Sequence, residues 1–87
     1  LSLLNHRRYH LVTTVEQNSS VTKSVPALKM VVNGPTSAGA MQALQAKLSN
    51  FAMSVHAGER RLPKSDARPG LEYLAFDLVM EHDLARR

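Results

Sequence analysis

The sequence predicts an α+β fold: an N-terminal antiparallel β-hairpin or meander, one long central helix, and a C-terminal helix for which a strand is the alternative. Three observations carry that prediction. Residues 9–33 are rich in β-branched residues and alternate in polarity. Residues 37–57 repeat their larger apolar residues in steps of three and four. Between the two, Asn33-Gly34-Pro35 is a strong breaker. The chain is expected to make one small domain, 1–87, divided into a β-rich part (9–33), the central helix (37–57), a basic loop (59–70) and the C-terminal helix (71–85).

In chain order, Tyr9–Glu16 reads YHLVTTVE, with Tyr9, Leu11, Thr13 and Val15 on one side and His10, Val12, Thr14 and Glu16 on the other. The polar cluster Gln17–Ser20 suits a hairpin turn. Ser20–Val25 resumes the β pattern, with Val21 and Val25 flanking Lys23. Pro26 interrupts it, as expected of an edge strand or a bulge, because proline donates nothing to a ladder. Ala27–Asn33 is a further strand with Leu28, Met30 and Val32 on one face. The opening LSLLNHRRYHLVTT contains no acid, as in organelle transit peptides, but the alternation from Tyr9 favours an ordinary basic first strand.

The central helix has its stripe at Met41, Leu44, Leu48, Phe51 and Val55. Thr36 or Ser37 can cap its start, and Gly58 suits the left-handed residue that closes its end. Glu59–Gly70 holds two prolines and a single large apolar residue, Leu62, and reads as an exposed loop. In Leu71–Arg87 two periodicities compete. Leu71, Leu74, Ala75, Leu78 and His82 form a helical face, while Leu74, Phe76, Leu78 and Met80 alternate as a strand would. Pro69-Gly70 and the length of the run favour the helix.

The net charge of +4 is polarised. Glu16 is the one acid before Glu59, and the acids Glu72, Asp77, Glu81 and Asp83 gather near the end. The basic segment Arg60, Arg61, Lys64 and Arg68, joined by Arg7 and Arg8 if the termini meet, is the candidate surface for an anionic partner, with RNA first. Arg86 and Arg87 would extend it. Aromatic residues for base stacking are few. No apolar run reaches the roughly 20 residues of a membrane span.

Catalytic and metal chemistry find little purchase. Gly34-Pro-Thr-Ser-Ala-Gly39 lies between a strand and a helix, as a phosphate loop does. The lysine such a loop needs is Ala40, and its metal-holding hydroxyl is Met41. His6 and His10 are four apart without a third ligand, and His56 and His82 are distant. The adjacent His82 and Asp83 diverge on a helix; Asp77 and Glu81 read as solvated charges. No cofactor, metal, small-molecule substrate or enzymatic activity is expected.

An 87-residue chain buries roughly 60% of its unfolded surface, and without cysteine it has no disulfides to compensate. Oligomerisation or docking into a complex is the remaining aid, with Met41, Leu44, Leu48, Phe51 and Val55 as the interface. The expected function is a non-enzymatic assembly and binding module that docks through its central helix and offers a basic surface to RNA. The alternative is a structural subunit of a multiprotein complex with no nucleic-acid contact. The absence of cysteine leans toward an intracellular location.

Overall fold

A long first strand organises the molecule. The computed structural model describes residues 2–81, and its elements are β1 (Ser2–His10), β2 (Val12–Val15), β3 (Val21–Val25), β4 (Met30–Gly34), α1 (Ser37–His56) and β5 (Tyr73–Glu81), with a single 3-10 turn at Pro26–Leu28. β2, β3 and β4 form an antiparallel meander, and β1 pairs antiparallel with β5, Ser2 opposite Glu81 and His10 opposite Tyr73. Among the described residues the architecture is α+β, built from antiparallel strands and one α-helix.

Only Leu11 separates β1 from β2, and the two use opposite edges. Successive N–H groups of a strand alternate between its edges. The Leu11 N–H donates to Glu72 O at 3.2 Å, so the odd residues face β5. The Glu16 N–H donates to Ser20 O at 2.8 Å, so the even residues of β2 face β3. The even edge of β1 is taken by the loop before β5. Arg8 N–H donates to Ser65 Oγ (3.0 Å) and His10 N–H to Asp66 Oδ1 (2.8 Å), while Arg8 O accepts from Asp66 and Ala67 N–H, both at 3.1 Å.

The C-terminal segment corrects an expectation. Residues 73–81 form a strand, not part of a helix 71–85; residues 82–85 lie outside the described residues. The alternation of Leu74, Phe76 and Leu78 prevails because β1 supplies nine consecutive pairing partners, and each strand then buries one side.

Side chains alternate between the faces of the strands. Tyr9, Leu11, Val21, Val25, Met30, Val32, Phe76 and Leu78 line the inner face and are buried with Leu28 and with Ala40, Leu44, Leu48, Phe51 and Val55 of α1. Tyr9, Phe76 and Phe51 stack in tilted succession at 6.5 and 5.9 Å between ring centroids, joining β1 to β5 and β5 to α1. Lys23 also lies on this face, 4% exposed, and donates from Nζ to the Thr13 hydroxyl (3.0 Å), which donates in turn to Glu72 Oε1 (3.0 Å).

The helix starts where the Thr36 hydroxyl accepts the Gly39 N–H at 3.0 Å, satisfying a donor that has no partner in the first turn. Its entry requires Gly34. A Cβ there would lie 2.5 Å from Ala40 N and 2.9 Å from Gly39 C, so β4 and the first turn of α1 meet backbone to backbone. The helix ends in a Schellman arrangement: Gly58 N–H donates to Val55 O (3.0 Å) and Glu59 N–H to Ser54 O (2.9 Å), with Gly58 at φ 78°.

Candidate functional site

Five lysine and arginine residues line two recesses that share no residue: Arg8 and Arg68 the one, Lys29, Lys47 and Arg60 the other. The first lies on the outer side of the β1–β5 pair, where Arg8, His6 and Tyr73 point away from the core. Arg8 is brought there by strand alternation, since Arg7 and Tyr9 on either side turn inward. Tyr73, at the start of β5, is 49% exposed, and the Arg8 guanidinium carbon stands 5.5 Å from the centroid of its ring, within cation–π range. Arg68, Pro69, Gly70 and Leu71 close the rim; Gly70 takes φ 81° to turn the chain into β5. The recess measures about 480 Å³. At its edge His6 Nδ1 meets Asp77 Oδ1 directly across the strands.

This surface is held from beneath. Pro63 O accepts from Tyr9 Oη at 2.6 Å and from Arg7 Nε at 3.2 Å, and Arg7 also donates to His6 O at 3.2 Å. Burial of Tyr9 raises its phenol above the ordinary value near 10; the neighbouring Arg7 opposes that shift and Asp66 adds to it. With Ser65 and Asp66 on the β1 edge, these bonds fix the loop that carries Arg68.

The second recess, about 230 Å³, lies between the 3-10 turn and the middle of α1. Its walls include Lys29, Lys47, Asn50, Ser54 and Arg60 over an apolar floor of Leu28, Met30 and Phe51.

The structure distributes the six expected anion-binding residues as follows. Arg8 and Arg68 share the outer recess; Arg60 lines the helical one. Arg61 and Lys64 are exposed on the loop between. Arg7 is half-buried and used in holding Pro63. Arg86 and Arg87 lie outside the described residues. Of the expected interface residues, Leu44, Leu48, Phe51 and Val55 are buried in the chain's own core, and Met41 is half-buried against it. Sequence reasoning missed Tyr73, Lys29 and Lys47 as members of basic recesses. Alternation in 73–81 could have paired Tyr73 with the outer face, but no spacing links Lys29 to Lys47.

The glycine-containing entry to α1 has no spare donor at Gly39, whose N–H the Thr36 hydroxyl takes, and the Ala40 N–H donates to Thr36 O at 2.9 Å. Among the described residues no three histidine, aspartate or glutamate side chains gather as metal ligands, and no helix is long and apolar enough to cross a membrane. Comparison with known protein families, with curated proteins and with solved structures finds no match to this chain.

Proposed function

We propose that the protein is a non-enzymatic binding module whose outer β1–β5 face takes single-stranded RNA. The observation that carries this reading is the Arg8 guanidinium over the half-exposed Tyr73 ring in the recess rimmed by Arg68. An aromatic ring offers a stacking surface to any base, worth roughly 1–3 kcal/mol per base, and the flanking arginines meet the phosphates. The guanidinium itself is planar and stacks on a base as readily as it pairs with an anion. Arg61 and Lys64, on the exposed loop preceding Arg68, extend the positive potential along the strand's path. Because Leu44, Leu48, Phe51 and Val55 lie in the chain's own core, this reading assigns them no partner.

Fluorescence anisotropy with a labelled oligouridine tests it. Affinity should fall linearly with salt on logarithmic axes, by about 0.7 of slope per phosphate contact. Arg8→Ala/Arg68→Ala should therefore lower the slope by about 1.4, and Tyr73→Ala should weaken binding by roughly 1–3 kcal/mol with the slope unchanged. No retention of RNA at low salt refutes the reading and leaves a structural subunit without nucleic-acid contact.

A further inference from the structure

We propose that the recess between the 3-10 turn and the middle of α1 is a binding site for a small phosphomonoester. Lys29, Lys47 and Arg60 would supply the charge, and Asn50 and Ser54 the neutral hydrogen bonds. This departs from the expectation of no small-molecule ligand. It is independent of the RNA reading, because the two recesses share no residue.

Three cations line this recess with no acid in the lining; Glu59, the acid beside Arg60 in the chain, is not part of it. The reason lies in the sequence: between Gln17 and Gly58 there is no Asp or Glu, so neither the turn nor the helix contains a counter-charge. Among the described residues the one ion pair is His6–Asp77, on the outer face of the β1–β5 pair. Like charges brought together repel, and an anion relieves that repulsion.

Two of the cations stand on backbone positions fixed before any ligand arrives. Lys29 adopts the left-handed conformation, φ 55° and ψ 41°, with its N–H on Pro26 O at 3.0 Å. A residue with a Cβ rarely enters that region, and the surrounding turn holds Lys29 in it. Arg60 follows the Schellman turn, and its own N–H returns to Ser54 O at 3.3 Å, which seats it beside the helix flank. Lys47, Asn50 and Ser54 occupy successive turns of that flank. A backbone already in place needs no reordering when a ligand arrives, which removes one part of the cost of binding.

The ligand class follows from size and chemistry. A phosphomonoester carries a charge of about −1.5 to −2 at neutral pH and three acceptor oxygens, matching three cations with an amide and a hydroxyl. The floor of Leu28, Met30 and Phe51 is apolar and suits the organic half of the ester. The volume of about 230 Å³ lies below the roughly 300–1,000 Å³ of pockets for larger ligands, so an organic half of a few atoms or one ring is what the recess can cover.

The test is a titration of the full chain, followed by amide chemical shifts at ionic strength held constant with sodium chloride. Phenyl phosphate and inorganic phosphate are the probes. Saturable shifts are expected at Lys29, Asn50, Ser54 and Arg60, with phenyl phosphate the tighter of the two. Lys47→Gln/Arg60→Gln should weaken phenyl phosphate at least tenfold with an unchanged far-ultraviolet spectrum, and Arg68→Gln should leave it unaffected. Non-saturating shifts, or equal affinity in Lys47→Gln/Arg60→Gln, overturn the site. Phenyl phosphate binding no tighter than inorganic phosphate overturns its assignment to a monoester.

Discussion

Gly34→Ala tests the joint between the sheet and the helix. The added methyl carbon would stand 2.5 Å from Ala40 N, 2.9 Å from Gly39 C and 3.0 Å from Ala40 Cα. All three are backbone atoms, so no rotamer change relieves the contact. Restoring an ordinary separation moves the first turn of α1 by about 1 Å. That turn is anchored by the fully buried Ala40 and by the Thr36 cap. Overpacking of this kind costs about 1–3 kcal/mol, and the rigidity of the neighbours places this site at the upper end. For a chain of this size the melting temperature should fall by about 10 °C or more. Urea denaturation followed by circular dichroism measures the loss. Gly39→Ala is the control, because its methyl would meet the Thr36 hydroxyl at 3.3 Å, a side chain, and alanine favours a helix by about 1 kcal/mol. A Gly34→Ala protein within about 0.5 kcal/mol of the parent would refute the argument, since that is the range of ordinary surface changes.

Two further outcomes follow from buried polar groups. Burial raises the Tyr9 phenol in the folded state, so the unfolded chain ionises first as pH climbs; stability is whole below pH 10 and falls through the folded value. Tyr9→Phe should flatten that alkaline fall in urea midpoints measured between pH 8 and 11, and should lower stability at pH 8 by about 0.5–1.5 kcal/mol for the lost bond to the Pro63 carbonyl, which keeps its Arg7 donor. Thr13→Val removes the hydroxyl between Lys23 and Glu72 and should cost about 1–3 kcal/mol, whereas Lys23→Met should be nearly neutral, because an apolar side chain needs no partner there; equal losses from both changes would contradict this account.

What could be read from the residues was what repeats locally. The central helix announced itself by its three-and-four spacing, and its cap and closing glycine fell where Thr36 and Gly58 stand. The turn at Gln17–Ser20 and the interruption at Pro26 were equally legible, since each is set by its own few residues. Leu71–Glu81 was not, because it carries both periodicities and its partner lies at the far end of the chain. Loop 59–70 read as merely exposed; the roles of Pro63, Ser65 and Asp66 on the β1 edge leave no periodic trace. The outer recess is half legible: Arg8 and Arg68 stand out by charge, but Tyr73 between them depends on 73–81 pairing as a strand, the alternative to the favoured helix.

The pairing of β1 with β5 has a consequence for the order of folding. β2, β3, β4 and α1 follow one another closely, so their contacts close small loops, whereas β1 must find β5 across more than sixty residues. Closing that long loop carries the larger entropic cost, and it comes last or opens first. Amides of β1 and β5 should then exchange with solvent together and earlier than those of β3. Arg8 and Tyr73 become neighbours only when this pair closes. A ligand that spans them binds the closed form alone, and its concentration sets how often the ends of the chain are apart.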